Sequence, residues 1–211
     1  MSTATRTARK PKSQSNGHLP PAIPPLPVRR FSVAEYHRLC EIGILTPSDR
    51  VELIHGWIVA KMGTNPPHAY GVNVLMKALL ALAGSSAVVR VQQPITTSDS
   101  EPEPDVTLAT GTDDEYKAHH PRPSECVVVA EVADSTLRED QTTKLELYAG
   151  AKVAVYWIVN LVDRRLEVYT QPRGGKNPTY KTRTDYGPDD AVPVVIAGKR
   201  VGTIAVKELL P

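Results

Sequence analysis

Asp105 directly after Pro104, Glu131 at the end of the apolar run Cys126 to Ala130, and Lys144 some way downstream are the residues of this chain best suited to chemistry. Two carboxylates and an ammonium that converge can hold a divalent cation beside a general base or a charge-stabilising group, the equipment needed to hydrolyse a phosphodiester. Side chains alternate along a strand, so Glu131 shares a face with Val127 and Val129, while Cys126, Val128, Ala130 and Val132 share the other. A carboxylate set among valines is partly desolvated and needs a cation. Lys144 is that cation, or it neighbours a metal that is. Two carboxylates that meet repel one another unless a divalent ion lies between them, and Mg²⁺ favours one or two carboxylates completed by water and substrate phosphate. A hard oxygen set without clustered Cys or His argues against zinc.

The positions of these groups depend on the elements that carry them. Phe31 to Gly43 reads as a helix with Ser32 as N-cap, Glu35 completing a capping box, and Phe31 and Tyr36 placed as a staple. Val51 to Val59 alternates as a strand broken at His55-Gly56, with Glu52 near its start. Pro66-Pro67 opens a helix to about Ala83, and short strands are expected at 87–93, 104–109 and 126–132. Thr136 with Glu139 predicts a second capping box on a helix to Gly150, where Asp140, Lys144 and Tyr148 stand at i, i+4 and i+8 on one stripe. A hairpin at 153–160 and 164–170 follows, then further short strands with weak signals. The order predicts an α/β fold, a central mixed β-sheet flanked by helices.

Residues 1–30 contain six Lys or Arg, six prolines and no acid, which reads as a disordered basic Pro-rich tail, leaving 31–211 as the folded domain. The whole chain carries +2 and that tail +6, so residues 31–211 carry −4. Attraction of such a domain to phosphate must come from a local patch, a metal or the tail. The acid-free start also has transit-peptide composition, although its prolines oppose an amphipathic helix. No apolar run reaches membrane-spanning length, and two distant cysteines fit a cytoplasmic protein.

Taken together, Glu103-Pro104-Asp105, Val127 through Val132, Asp134-Ser135-Thr136, Asp140, Lys144, Tyr148 and Tyr156-Trp157-Ile158-Val159 resemble the Uma2 family, itself similar to the PD-(D/E)XK nuclease superfamily. That resemblance implies a restriction-endonuclease-like core and a Mg²⁺-dependent endonuclease, with Mn²⁺ as a substitute ion and DNA as the partner. It matches Asp105 and Glu131 to metal ligands, Glu52 to a further acidic ligand and Lys144 to a lysine supplied from the helix. Ala133 stands where the superfamily's usual lysine would be, and Val155 and Asn160 replace residues that are often acidic in the family. Duplex cleavage needs two cuts, which is compatible with a homodimer.

Other readings stand beside these. Glu131 and Lys144 can form a structural ion pair, and the whole can be a catalytically silent nuclease-fold module that binds nucleic acid or a protein. Asp140, Tyr148 and His68 are expected in supporting roles. His68 is either a solvent-exposed residue of a helix start or a contact for phosphate near the helix N-terminus. A hydrolase built on His68 lacks a Ser or Cys partner at recognisable spacing. Asp113, Asp114, Glu115, His119 and His120 read as a solvated loop, and Trp57 and Trp157 as core.

Overall fold

The computed structural model describes residues 28–211. The basic tail therefore lies outside the described residues except for 28–30, of which Arg29 pairs with Glu35 and Arg30 lies over the Trp57 ring.

Helix α1 (Val33–Glu41) starts with the expected capping box: the Ser32 hydroxyl accepts the Glu35 N–H at 3.2 Å and the Glu35 carboxylate accepts the Ser32 N–H at 3.0 Å. Strands β1 (Val51–Ile54) and β2 (Trp57–Ala60) form a two-stranded hairpin. Its turn residues His55 and Gly56 have φ of 49° and 78°, the left-handed pair that a tight two-residue hairpin requires. Helix α2 (Pro66–Ala83) begins at the two prolines, capped by Asn65, whose side chain accepts the His68 N–H at 3.0 Å. Val72, Leu75, Leu79 and Ala83 are its buried stripe.

The central sheet contains β3 (Ala87–Val91), β4 (Val106–Thr110), β5 (Cys126–Ala133), β6 (Val155–Asn160), β7 (Arg165–Arg173) and β8 (Thr179–Tyr186), in that spatial order. Only β5 and β6 are parallel. A parallel pair needs a crossover, supplied by a helical run in three pieces: α3 (Leu137–Glu139), a π-helical stretch (Asp140–Lys144) and α4 (Leu145–Gly150). Strands β9 (Ala191–Ile196) and β10 (Lys199–Ala205) form a separate hairpin. Alternation along β6 divides the core. Trp157 and Val159 pack with α2, β9 and β10, whereas Tyr156 and Ile158 pack with α4 on the other face. The result is a mixed sheet covered on both sides. No helix among the described residues is long and apolar enough to cross a membrane.

Three sequence expectations need correction. The Thr136–Glu139 capping box is absent: Thr136 has helical φ and ψ, and its hydroxyl donates to Asp140 at 2.7 Å instead. Cys126 does not share a face with Val128, because a register shift opposite Leu108 and Ala109 inserts an extra residue and turns Cys126 toward the α4 side. Strand β4 starts at Val106, with Asp105 at a bend just before it, because the Asp105 N–H goes to a carboxylate rather than to a strand neighbour.

Candidate active site

Register brings the first two acids together. Val106 pairs with Ala130, so Asp105 falls beside Glu131 at one end of the β4–β5 ladder. The Asp105 N–H donates to Glu131 Oε2 at 3.1 Å, and the Val132 N–H donates to Asp105 Oδ2 at 2.9 Å. Each carboxylate is thus fixed by backbone of the other's strand, a pre-organised arrangement with both groups buried.

The crossover helix supplies the rest. Lys144 Nζ donates to both oxygens of Glu52, at 2.7 and 2.8 Å, and lies 3.9 Å from Glu131 Oε1. Tyr148 donates its hydroxyl to the same Glu131 oxygen at 2.7 Å. Glu52, carried by β1, also accepts the Glu103 N–H at 2.9 Å. Asp140 is buried nearby, and its backbone carbonyl accepts the Tyr156 hydroxyl at 3.1 Å. Asp105, Glu131, Lys144, Glu52, Asp140 and Tyr148, identified in sequence, are therefore gathered in one place. The stripe Asp140, Lys144, Tyr148 faces the site as expected, although the helix widens to a π turn between the first two, a local feature common at functional sites.

Of the two readings of His68, the solvent-exposed one does not hold. Its ring is mostly covered, and Nε2 lies 3.0 Å from Asp105 Oδ2 because the Asn65 cap turns the first turn of α2 toward the sheet edge. Nδ1 is buried without a partner. Sequence reasoning assigned no site role to Gln92, Asn65 or Asp134, although Asp134 stands in the family motif. Gln92 takes a left-handed φ of 49° and reaches Asp105 Oδ1 at 3.4 Å, and Asn65 donates to Asp134 at 2.6 Å, tying α2 to the end of β5. Asp134 adjoins the Glu131 strand, which was a usable signal; Gln92 had none. Of the loop acids and histidines, Asp113, Asp114, Glu115 and His119 are exposed, whereas His120 approaches buried Glu101, which also pairs with His37 at 2.9 Å.

Electrostatics follows from burial and crowding. Desolvation pushes the Glu131 carboxyl well above the ordinary carboxylate range, opposed by Lys144 and reinforced by Asp105. Burial likewise raises Asp140 to about 7, against the Thr136 hydrogen bond and the Lys144 charge. Burial disfavours the Lys144 charge, but Glu131 and Glu52 outweigh it and hold the ammonium above its ordinary value. His68 is raised chiefly by its hydrogen bond to Asp105.

These groups line a cleft of about 390 Å³ with seven carboxylates against Arg50, Lys61 and Lys144. Among the described residues, no group of three or more His, Cys, Asp or Glu is arranged to enclose a metal ion. The donor chemistry nevertheless suits a hard divalent cation held by one or two carboxylates and completed by water and phosphate. Burial and, to a lesser degree, the neighbouring Asp105 disfavour the charged forms of Glu131 and Asp140, and such an ion would offset both effects.

A family model for Uma2, described as a putative restriction endonuclease, matches residues 33–197. Among solved structures, a putative nuclease belonging to DUF820 from Anabaena variabilis ATCC 29413 has a similar fold. It shows 14% identity and a TM-score of 0.64 over 85% of this chain and 97% of that one. No curated protein matches.

Proposed function

The chain belongs to the Uma2 family, and on that premise we propose that it is a Mg²⁺-dependent endonuclease hydrolysing phosphodiester bonds of DNA, with Mn²⁺ able to replace Mg²⁺. One observation supports this above the others: Asp105 and Glu131 are locked together by reciprocal backbone hydrogen bonds, with the Lys144 ammonium 3.9 Å from Glu131. Asp105 and Glu131 would hold the ion. When bound, it would polarise the phosphate and acidify a water.

The protein's own groups do the remaining work. Lys144 orients the hydrolytic water or stabilises the charge of the pentacovalent phosphate. Glu52, expected as a further ligand, serves this function by holding Lys144, because both of its oxygens engage the ammonium. Tyr148 fixes the Glu131 rotamer, and His68 and Gln92 restrain Asp105. The unpaired cysteines Cys40 and Cys126 fit a cytoplasmic setting.

A catalytically silent module is favoured by one feature: Glu52 grips Lys144 in a way that also suits a purely structural ion pair. Calorimetric titration with Mg²⁺ and Mn²⁺, with and without DNA, tests the metal site, and cleavage of DNA by the folded chain separates the two. Binding that weakens in Asp105→Asn and Glu131→Gln supports the nuclease; a folded chain that binds neither ion, even with DNA, is not a metallonuclease.

A further inference from the structure

We propose that the groove beside Met62 is a nucleotide subsite, which holds the DNA unit next to the scissile phosphate; this rests on the nuclease reading above. The groove, about 320 Å³, is lined by Met62, Ser135, Thr136, Arg138, Glu139 and Thr142. It shares Met62, Ser135, Thr136 and Glu139 with the carboxylate cleft, so the two are one continuous surface. A strand whose phosphate lies at Asp105 and Glu131 extends along it.

The groove's chemistry differs from that of the cleft. Seven carboxylates around the metal position repel any phosphate that a bound ion does not neutralise. Arg138, which lines the groove but not the cleft, offers a cation there. Its exposed guanidinium makes no hydrogen bond or ion pair among the described residues, although its backbone carbonyl is held by Thr142 at 2.6 Å. The Thr136 and Thr142 hydroxyl protons are already committed to Asp140 and Arg138, which leaves the Ser135 hydroxyl and the Arg138 guanidinium as donors for a phosphate. Glu139 confines that phosphate to the Arg138 side.

One apolar side chain, Met62, also lines the groove. Met62 is 60% exposed, and Arg50 pins its loop by donating to the Met62 carbonyl at 3.3 Å. An unbranched polarisable thioether beside a guanidinium is suited to cover a base face while the guanidinium takes its phosphate. The joint presence of the two makes the occupant a nucleotide rather than a free anion.

Anisotropy titrations of a labelled DNA oligonucleotide, single-stranded and duplex, against the full chain in Ca²⁺ test this across a salt series. Arg138→Ala should lower the slope of log affinity against log salt by about 0.7 to 0.9, the loss of one phosphate contact. Met62→Ala should weaken binding about two- to tenfold and change the quenching, on binding, of a 2-aminopurine placed next to the scissile position. Both side chains are exposed, so melting temperatures should not change. Wild-type binding that neither variant alters, in affinity, slope or quenching, overturns the subsite and leaves the nuclease reading intact. A wild type that binds the metal but no DNA overturns both.

Discussion

Asp140→Asn should stabilise this protein above neutral pH, although it replaces a charged residue beside the candidate active site. Asp140 is 4% exposed and its carboxyl is raised by burial from an ordinary value of 3.8 to about 7. A raised carboxyl means that the folded state binds the proton more tightly than the unfolded chain. Its cost is absent below pH 4, grows as pH rises toward 7, and is complete above it. The difference corresponds to about 4 kcal/mol at 25 °C, as an upper figure. Asparagine keeps the oxygen that accepts the Thr136 hydroxyl and never ionises. It also removes a charge that pushes Glu131 upward, which adds to the gain. A gain of about 4 kcal/mol in a chain of this size raises the melting temperature by roughly 8 to 16 °C. Urea denaturation at pH 4 and pH 8 without divalent ions is the assay: the variant should match wild type at the lower pH and exceed it at the higher. Equal stabilities at pH 8, or a less stable variant there, would show that Asp140 is not held uncompensated and would refute the electrostatic reasoning.

Further outcomes follow from the same geometry. Lys144→Met should cost about 3 to 5 kcal/mol in urea melts, because it leaves Glu52 and Glu131 buried without their cation, and adding Glu52→Gln should restore much of that loss. Gly71 lies on α2 against β5, and a Cβ there would meet Val132 Cγ1 at 2.6 Å; Gly71→Ala should therefore destabilise by about 1 to 3 kcal/mol despite its better helix propensity. Glu167 on β7 is wholly buried and accepts hydrogen bonds from Gln141 in the π turn at 2.9 Å, Asn160 at 2.7 Å and Tyr169 at 2.7 Å. Glu167→Ala should leave those donors unpaired, cost more than about 3 kcal/mol, and slow any cleavage by releasing the turn that carries Asp140 and Lys144.

The candidate site was legible where function and local signal coincided. Pro104-Asp105, the apolar run into Glu131, and the spacing of Asp140, Lys144 and Tyr148 all survive as geometry, because strand alternation and helical period act over a few residues. The capping box of α1, the turn at His55-Gly56 and the proline start of α2 were legible for the same reason. What failed depended on packing that no local pattern encodes. The Thr136 hydroxyl had a choice between capping its helix and meeting Asp140, and burial of Asp140 decided it. A bulge opposite β4 rotated Cys126, which no pattern within β5 could show. His68 looked exposed because the Asn65–Asp134 contact that brings α2 to β5 joins residues 69 positions apart. Glu167 shares a strand face with Arg165 and Tyr169 and read as an ordinary hairpin residue; only the approach of the crossover helix makes it an anchor.

The central claim, that Asp105, Glu131 and Lys144 form a metal-dependent nuclease site, is tested most directly by cleavage of supercoiled plasmid and single-stranded DNA in Mg²⁺ or Mn²⁺. Wild type should be compared with Glu131→Gln and Lys144→Ala, each confirmed as folded. The account predicts nicking that requires the ion and is lost in both variants. No cleavage of either DNA by folded wild type, or cleavage that survives in both variants, would contradict it.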